Sequence, residues 1–336
     1  MMLQIGTPAA SQFPVYPDPD PEVDSHYIKT YAPELITRFY FSQKYTAIVL
    51  EGKEDVPDLR YRPNTTINMG VGFTYRSLTL NLAYGFPFLN RDKGRGDTRY
   101  LDLQSHIYTR NWTMDFFGQL YKGYFLLPRG TAIPDNDKYY VRPDIGVSLF
   151  GLAVYQLQNG RKFSYRAAMV QSEWQQKSAG TWLLGGEIYA GSFSADSNFV
   201  PGLLAMNYPQ KEVRRVRFIE AGPGAGYAYT LVMAKNWFLT GSATLNLDVG
   251  LTREFRNGGT SDKFSVSPNF IYRGVAGYNS DRWVASLTMV GNRVTVRGAS
   301  SNQRYLFNTG NYRVTLARRF LPGPRLKPKL KWLDPK

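Results

Sequence analysis

Few residues in this chain of 336 are suited to chemistry, and the most tempting are adjacent: Ser105 and His106. A hydroxyl nucleophile needs its base within hydrogen-bond reach. Neighbours on a strand point to opposite faces, so these two cannot pair within one regular strand. The spacing predicts Ser105 facing outward, and His106 facing inward with Asp102 and Gln104 and with Asp115 or Gln119 of the following strand. A serine from another strand could still serve His106. There is no Cys, which excludes disulfides and thiolate metal sites, and His26 is the only other histidine. A multi-histidine metal centre is poorly supported, and no metal or cofactor is expected.

The remaining polar candidates are charges that would have to be buried. Asp102, Asp115, Glu187, Glu220 and Asp248, with Arg166, Arg313 and Arg319, are expected to form interior ladders of salt bridges and hydrogen bonds, because a buried charge needs a partner. Gln104, His106 and Asn246 belong to the same expected inner cluster. "GPGAG" at 222–226 lacks the Lys-Ser/Thr and the helix start of a phosphate loop. It reads as a strand kink or a close approach of inner backbone. "RNGGTSD" at 256–262 reads as a loop with Asn-Gly turn chemistry, and "NTT" at 64–66 fits a glycosylation pattern that carries no weight here.

The elements that would position these residues show in the alternation. In "TINMGVGFTYRSLTLNLAYGFPF" (66–88), Ile67, Met69, Val71 and Phe73 share one face. After Arg76-Ser77 the parity changes, and Leu78, Leu80 and Leu82 take over. In 236–253, Leu245 and Leu247 alternate with Asn246 and Asp248. Such segments run at about 35–50, 64–76, 77–88, 98–110, 111–124, 142–157, 161–176, 180–193, 213–231, 236–253, 262–277, 281–296 and 303–320. Several exceed the usual soluble strand, and their polar faces carry mostly Thr, Ser, Asn, Gly and Tyr rather than Lys and Glu. The apolar residues named are therefore expected to face lipid, with Asn68, Thr74, Thr79 and Asn81 inside. Closure into a barrel leaves no backbone edge unpaired in hydrocarbon.

Composition agrees. Aromatics make up 15% of the chain, with 24 Tyr and 20 Phe, and no run of apolar residues is long enough for a transmembrane helix. Trp112, Trp182, Trp237 and Trp283 each lie at or near a strand start, where an amphipathic ring marks a membrane interface. Short turns are expected at Arg76-Ser77, Arg110-Asn111, Asn159-Gly160, Lys235-Asn236 and Asn279-Ser280. Longer loops are expected at 51–63, 89–97, 124–141 and 254–261. Between 158 and 212 the alternation leaves the strand count open. A net charge of +15 favours acidic lipid or lipopolysaccharide, and its dispersion argues against nucleic acid. Residues 1–34 form a Pro- and Asp-rich lead-in without a basic and apolar leader signature, so an export leader would have to be missing from this chain. Residues 321–336 form a basic tail with Arg325, Lys327, Lys329 and Lys331, either a periplasmic contact or a solvated tail.

"YRPNTTINMGVGFTYRSLTLNLAYGFPF", "FSYRAAMVQSEWQQKSAGTWLLGG" and "NTGNYRVTLARRF" together resemble the domain-of-unknown-function family numbered 4421, regarded as outer-membrane β-barrels of Bacteroidetes. The likeness covers roughly residues 26 to 320. It implies a fold and a location and brings no activity or catalytic residues. The tail after Phe320 departs from a barrel that ends at its last strand.

The reading is an all-β, closed antiparallel transmembrane barrel of 12 to 14 strands over residues 35–320, in the bacterial outer membrane. Non-catalytic work as a structural or accessory subunit is expected, with lipid, lipopolysaccharide and outer-membrane or periplasmic proteins as partners. The alternative is a narrow pore whose solute is selected by Asp102, His106, Asp248 and Arg313; a lipid-modifying enzyme comes third. The lumen could be closed by its own side chains, by 195–212 or by the N-terminal arm.

Overall fold

The alternating segments form long strands in the computed structural model, which describes residues 23–330 apart from 32–33, 76–77 and 91–93. Most of the N-terminal lead-in, the Arg76-Ser77 turn and Lys331 lie outside the described residues, as do the side chains of Leu78, Lys327 and Lys329. In chain order the strands are β1 (Ile28–Thr30), β2 (Leu35–Leu50), β3 (Leu59–Arg62), β4 (Asn68–Tyr75), β5 (Leu78–Tyr84), β6 (Arg99–Tyr108) and β7 (Trp112–Leu127). There follow β8 (Val141–Leu157), β9 (Glu173–Gln175), β10 (Ala179–Ser194), β11 (Val213–Met233), β12 (Trp237–Arg256), β13 (Gly259–Asn279), β14 (Trp283–Arg297) and β15 (Arg304–Phe320).

The sheet closes because β15 pairs with β2 along their whole length, from Tyr305 opposite Leu50 to Phe320 opposite Leu35. The closed ring runs β2, β3, β7, β8, β10, β11, β12, β13, β14, β15 and back to β2, ten strands, all antiparallel. Three more are attached: β4 on β2, β5 on β4, and β6 on β7. The sheet thus holds thirteen strands rather than an even number, because the four-residue β3 bridges β2 and β7 at one end only. Turns at 109–111, 234–236 and 280–282 share one end, the turn end, with the start of β2 and the finish of β15. The segments 51–58, 85–98, 128–140, 195–212 and 298–303 share the other, the loop end.

Two expected elements differ. Residues 161–176 form no wall strand; they fold as a π-helical turn (Arg166–Val170) followed by β9, which pairs with β1 in a separate two-stranded sheet. Their alternation, Phe163, Tyr165, Ala167, arises inside a segment packed on all sides, and Ala167 and Ala168 are both buried. The loop expected at 254–261 is instead a two-residue turn, Asn257-Gly258, because Arg256 already pairs with Gly259.

Local chemistry sets the wall's parity. β12 alternates buried and exposed over its first 18 residues, with Leu245, Leu247, Val249 and Leu251 outside and Thr244, Asn246, Asp248 and Thr252 inside. In β7 a register shift at Gly123, φ 94°, turns the inward set from Gln119 and Tyr121 to Tyr124 and Leu126. A Cβ on Gly123 would lie 2.2 Å from the Asp97 carbonyl oxygen.

Candidate functional site

The interior is apolar toward the loop end, where Leu50, Phe193, Phe199, Val296 and Phe307 pack together, but largely polar through its middle, where a soluble sheet protein would be oily. At its centre Asp115 on β7 is fully buried between His106 Nδ1 on β6, 2.6 Å away, and the Arg273 guanidinium from β13 on another part of the wall. Asp102 accepts from Tyr121 Oη at 2.5 Å, Gln104 Nε2 at 3.1 Å and Gln119 Nε2 at 3.4 Å. Lys44 Nζ stands 3.6 Å from its carboxylate. Each charge here has the partner that burial demands.

The β10–β12 wall differs. Glu187, Glu220 and Asp248 all face inward and are buried, yet among the described residues no cationic side chain is ion-paired with any of them. Neutral donors serve them: Asn269 Nδ2 reaches Asp248 at 2.9 Å and Glu220 at 3.3 Å, and Tyr155 Oη lies 3.3 Å from Glu187 and donates to Asn246 Oδ1 at 2.7 Å. Room for these side chains comes from Gly222, Gly224 and Gly226 on β11. A Cβ at Gly224 would fall 1.6 Å from Asn246 Oδ1, and one at Gly222 would fall 2.1 Å from the Leu247 carbonyl oxygen. The "GPGAG" stretch is thus a close backbone approach inside the barrel.

Both ends of the lumen are filled by the chain. At the turn end, 158–178 tucks inside. Glu173 takes a bidentate pair from Arg110 at 2.7 and 3.1 Å, a 2.5 Å bond from Ser164 Oγ, and Arg166 at 3.4 Å. Arg319 donates to the carbonyls of Gln171 and Glu173, to Asn279 Oδ1 and to the Ser280 carbonyl, with the Tyr31 ring 4.0 Å from its carbon. Lys29 and Tyr31 bind Asp281 in the β13–β14 turn, and these two contacts hold its carboxyl below the usual range. At the loop end, 195–212 folds in: Phe199 stacks on Phe193 at 3.9 Å, and its carbonyl accepts from Tyr61 Oη at 2.5 Å. Gln210 Nε2 donates to the Glu51 carbonyl at 2.9 Å.

The expected inner cluster does face inward, but it is not one cluster. Asp102, Gln104, His106 and Asp115 belong to the central group, Glu187, Glu220, Asn246 and Asp248 to the acidic wall, and Arg319 to the turn-end plug. Arg313 lies 4.5 Å from the centre of the Tyr40 ring. The expected pairing of these carboxylates with Arg166, Arg313 and Arg319 is corrected: Arg273 pairs with Asp115 and Lys44 with Asp102, while Arg110 and Arg166 serve Glu173. Alternation could have found Arg273, which shares a face with Ile271 and Val275. The same alternation carries Asn269, but nothing local marked the pairing of Glu173 with Arg110, 63 residues away. Ser105 sits on the opposite side of β6 from the inward-facing His106. Among the described residues no group of His, Cys, Asp and Glu is arranged to hold a metal ion.

Outside, Val71 is 58% exposed, Leu82 62% and Leu247 56%; Ile67 and Leu245 are also exposed, and Met69, Phe73 and Leu80 are half-buried. Trp112, Trp182, Trp237 and Trp283 all face outward, and all at the turn end. Trp182 meets Tyr227 edge-on at 5.1 Å, and Trp237 meets Tyr278 at 5.3 Å. Toward the loop end the outer face changes to exposed bases, among them Arg62, Arg99, Arg215, Arg217, Arg253 and Arg297. Arg325 in the tail is exposed.

An apolar exterior around a polar, filled interior is the reverse of a soluble globule, and it defines a transmembrane β-barrel. The chain belongs to the family described as "Domain of unknown function (DUF4421)", whose profile matches residues 22–320. No curated protein matches the sequence. Among solved structures it is similar to the outer membrane protease OmpT of Escherichia coli, with 10% identity and a TM-score of 0.36 over 87% of this chain and 98% of that one. It is also similar to the toluene transporter TodX of P. putida, with 8% identity and a TM-score of 0.27 over 85% and 90%. A third is an outer membrane channel of Pseudomonas putida F1, with 11% identity and a TM-score of 0.26 over 89% and 100%. No activity passes from them to this chain.

Proposed function

We propose that the protein is a bacterial outer-membrane barrel that works without catalysis, as a structural or accessory subunit of an outer-membrane assembly. The observation that carries this is the double closure of the lumen. Residues 158–178 are locked by Arg110, Arg319 and Glu173 at one end, and 195–212 is packed around Phe199 at the other. A route for solute through the lumen would have to displace both plugs. The outer surface favours the lipid partners: the Trp and Tyr ring at the turn end suits the periplasmic headgroup level, and the arginines toward the loop end suit the phosphates of lipopolysaccharide. The basic tail leaves from the turn end, where a periplasmic partner would meet it.

The test is mild-detergent purification from native membranes with identification of what is retained, alongside planar-bilayer recording. A stoichiometric protein partner and a silent bilayer are expected. Steady conductance that changes in an Asp248→Asn variant would replace this reading by the narrow pore. That second reading is favoured by one feature, the separation of charge across the lumen between the Glu187–Glu220–Asp248 wall and the Arg38–Arg313 side. The enzyme reading would need lipid turnover that is lost in His106→Ala.

A further inference from the structure

The barrel wall has a break. β5 pairs only with β4, and β6 pairs only with β7; these strands are consecutive along the chain, yet no ladder joins them. The ring is completed past them by β3, and only at the loop end. The gap is stitched at its upper margin, where Thr66 Oγ1 meets Tyr100 Oη at 2.7 Å and the Asn64 backbone nitrogen donates to Thr98 Oγ1 at 2.8 Å. Just below, Lys44 Nζ crosses from β2 to the Asp102 carbonyl oxygen on β6 at 3.1 Å. From there toward the turn end, the edges of Leu78–Tyr84 and of the rest of β6 face each other without backbone pairing. An unpaired strand edge in hydrocarbon is unstable unless something else meets it.

Behind this gap stand two guanidinium groups without counter-charges. Arg38 is 5% exposed and is held by neutral acceptors: Thr74 Oγ1 at 2.6 Å on β4, Asn81 Oδ1 at 3.3 Å on the edge strand β5, and the Val170 carbonyl at 3.0 Å. Among the described residues its Nε has no hydrogen-bond partner, and neither does Nε of Arg313, on the far side of Tyr40. Among the described residues no carboxylate is ion-paired with either. Every other strongly buried cation described above has an acid or a full set of carbonyls. A buried arginine and a half-buried one, both uncompensated beside an open seam, suit an anionic oxygen group, since guanidinium binds phosphate or carboxylate oxygens in a fork. The flanks of the seam match the other half of such a ligand, because Leu82 and Leu103 lie exposed on the outer face to either side.

We propose that the β5–β6 seam is a lateral opening from the bilayer into the lumen, and that it admits the headgroup of an anionic, phosphate-bearing amphiphile to Arg38 and Arg313 while the acyl chains stay in the membrane. This rests on the barrel being embedded in lipid, and it is independent of the accessory-subunit reading.

The test uses the full chain in neutral maltoside micelles with a phosphatidylglycerol carrying a photoactivatable diazirine in its acyl chain. Folding is checked first by the gel shift of an unheated barrel. A chain that stays soluble without detergent would defeat the membrane reading itself and would be seen before any lipid is added. The expected cross-links concentrate on peptides 78–84 and 101–107. Labelling there should fall roughly ten- to a hundred-fold in a folded Arg38→Gln/Arg313→Gln variant and recover in Arg38→Lys/Arg313→Lys. A diazirine phosphatidylcholine should label the seam far less. Cross-links spread evenly round the barrel, or seam labelling indifferent to the arginines or to headgroup charge, overturn the proposal. Suppression by millimolar inorganic phosphate with no lipid preference would overturn it too, assigning the pair to a free anion.

Discussion

Arg319, on the last strand, donates from Nε and Nη2 to the backbone carbonyl of Gln171, at 2.9 and 2.7 Å, across 148 residues of sequence. Gln171 has a left-handed φ of 60°, which turns the chain from the π-helical segment into β9 and aims that carbonyl at the guanidinium. The closing strand of the barrel therefore also fastens its plug. Replacing Arg319 by Leu leaves the Gln171 and Glu173 carbonyls without their donor inside the barrel, at a cost of about 3 kcal/mol. The expected result is faster hydrogen exchange and proteolysis within 158–178 while the wall strands keep their protection. Unchanged protection of that segment would show that Arg110 and Glu173 hold it alone.

The central ion pair makes a different prediction. Asp115→Asn strips Arg273 of its carboxylate in a buried site, and removal of one partner costs roughly 3–5 kcal/mol. Asp115→Leu combined with Arg273→Leu removes both charges and should recover much of that loss, because neither is then left uncompensated. Urea unfolding of Asp115→Leu, Arg273→Leu and the double variant in detergent measures the coupling directly. Additive losses would contradict the pairing.

How far the sequence led is best seen by comparing β12 with residues 161–176. In β12 one face meets lipid and the other the lumen, so period-two alternation states its environment completely, and Leu247 and Asp248 are assigned by pattern alone. The same period in Phe163, Tyr165 and Ala167 misleads, since that segment is surrounded by protein on every side and parity carries no information there. β3 escaped notice because four residues are too few to show a period. The polar partners were legible only as types. That Asp115 would be buried followed from its parity, but that Arg273 would be its cation depends on which strands lie opposite across a closed ring. The unpaired seam could not be seen either, for β5 and β6 alternate like any neighbouring pair.

Gly222 tests how tightly the acidic wall is built. A methyl group there meets the Leu247 carbonyl oxygen at 2.1 Å and Asp248 Oδ1 at 2.6 Å, and a backbone carbonyl cannot turn aside like a side chain. Gly222→Ala should lower stability by about 1–3 kcal/mol through overpacking. Gly241, whose Cβ would have open space around it, serves as the control, with Gly241→Ala expected to leave the urea midpoint nearly unchanged.

The outer face predicts a position-dependent penalty for charge. Leu247 is exposed midway between the Trp237 end and the Arg253 end of β12, so Leu247→Arg should cost roughly 2–4 kcal/mol when folding is measured into lipid vesicles. Arginine already stands at the outward position 217, opposite Arg253 near the loop end, and Arg217→Leu should change folding little. Equal effects at the two sites would remove the argument for a hydrocarbon-covered band.

Acidification should act on the N-terminal strap before it acts on the wall. Lys29 and Tyr31 bind Asp281, outside the strands, and they lower the pKa of its carboxyl in the folded chain. A carboxyl depressed on folding contributes stability that is fully present above its unfolded value near 3.9 and disappears as pH falls through the lower folded value. Hydrogen-exchange protection factors of 23–31, which remove the intrinsic pH dependence of amide exchange, should therefore be constant from about pH 7 to pH 5, then fall relative to the wall strands below about pH 4. In Asp281→Asn the strap should already be less protected at neutral pH, with most of the added acid response gone. A strap that loosens equally with acid in both proteins would place the titrating group elsewhere, and one that never loosens would show β1 to be held by its pairing with β9 alone.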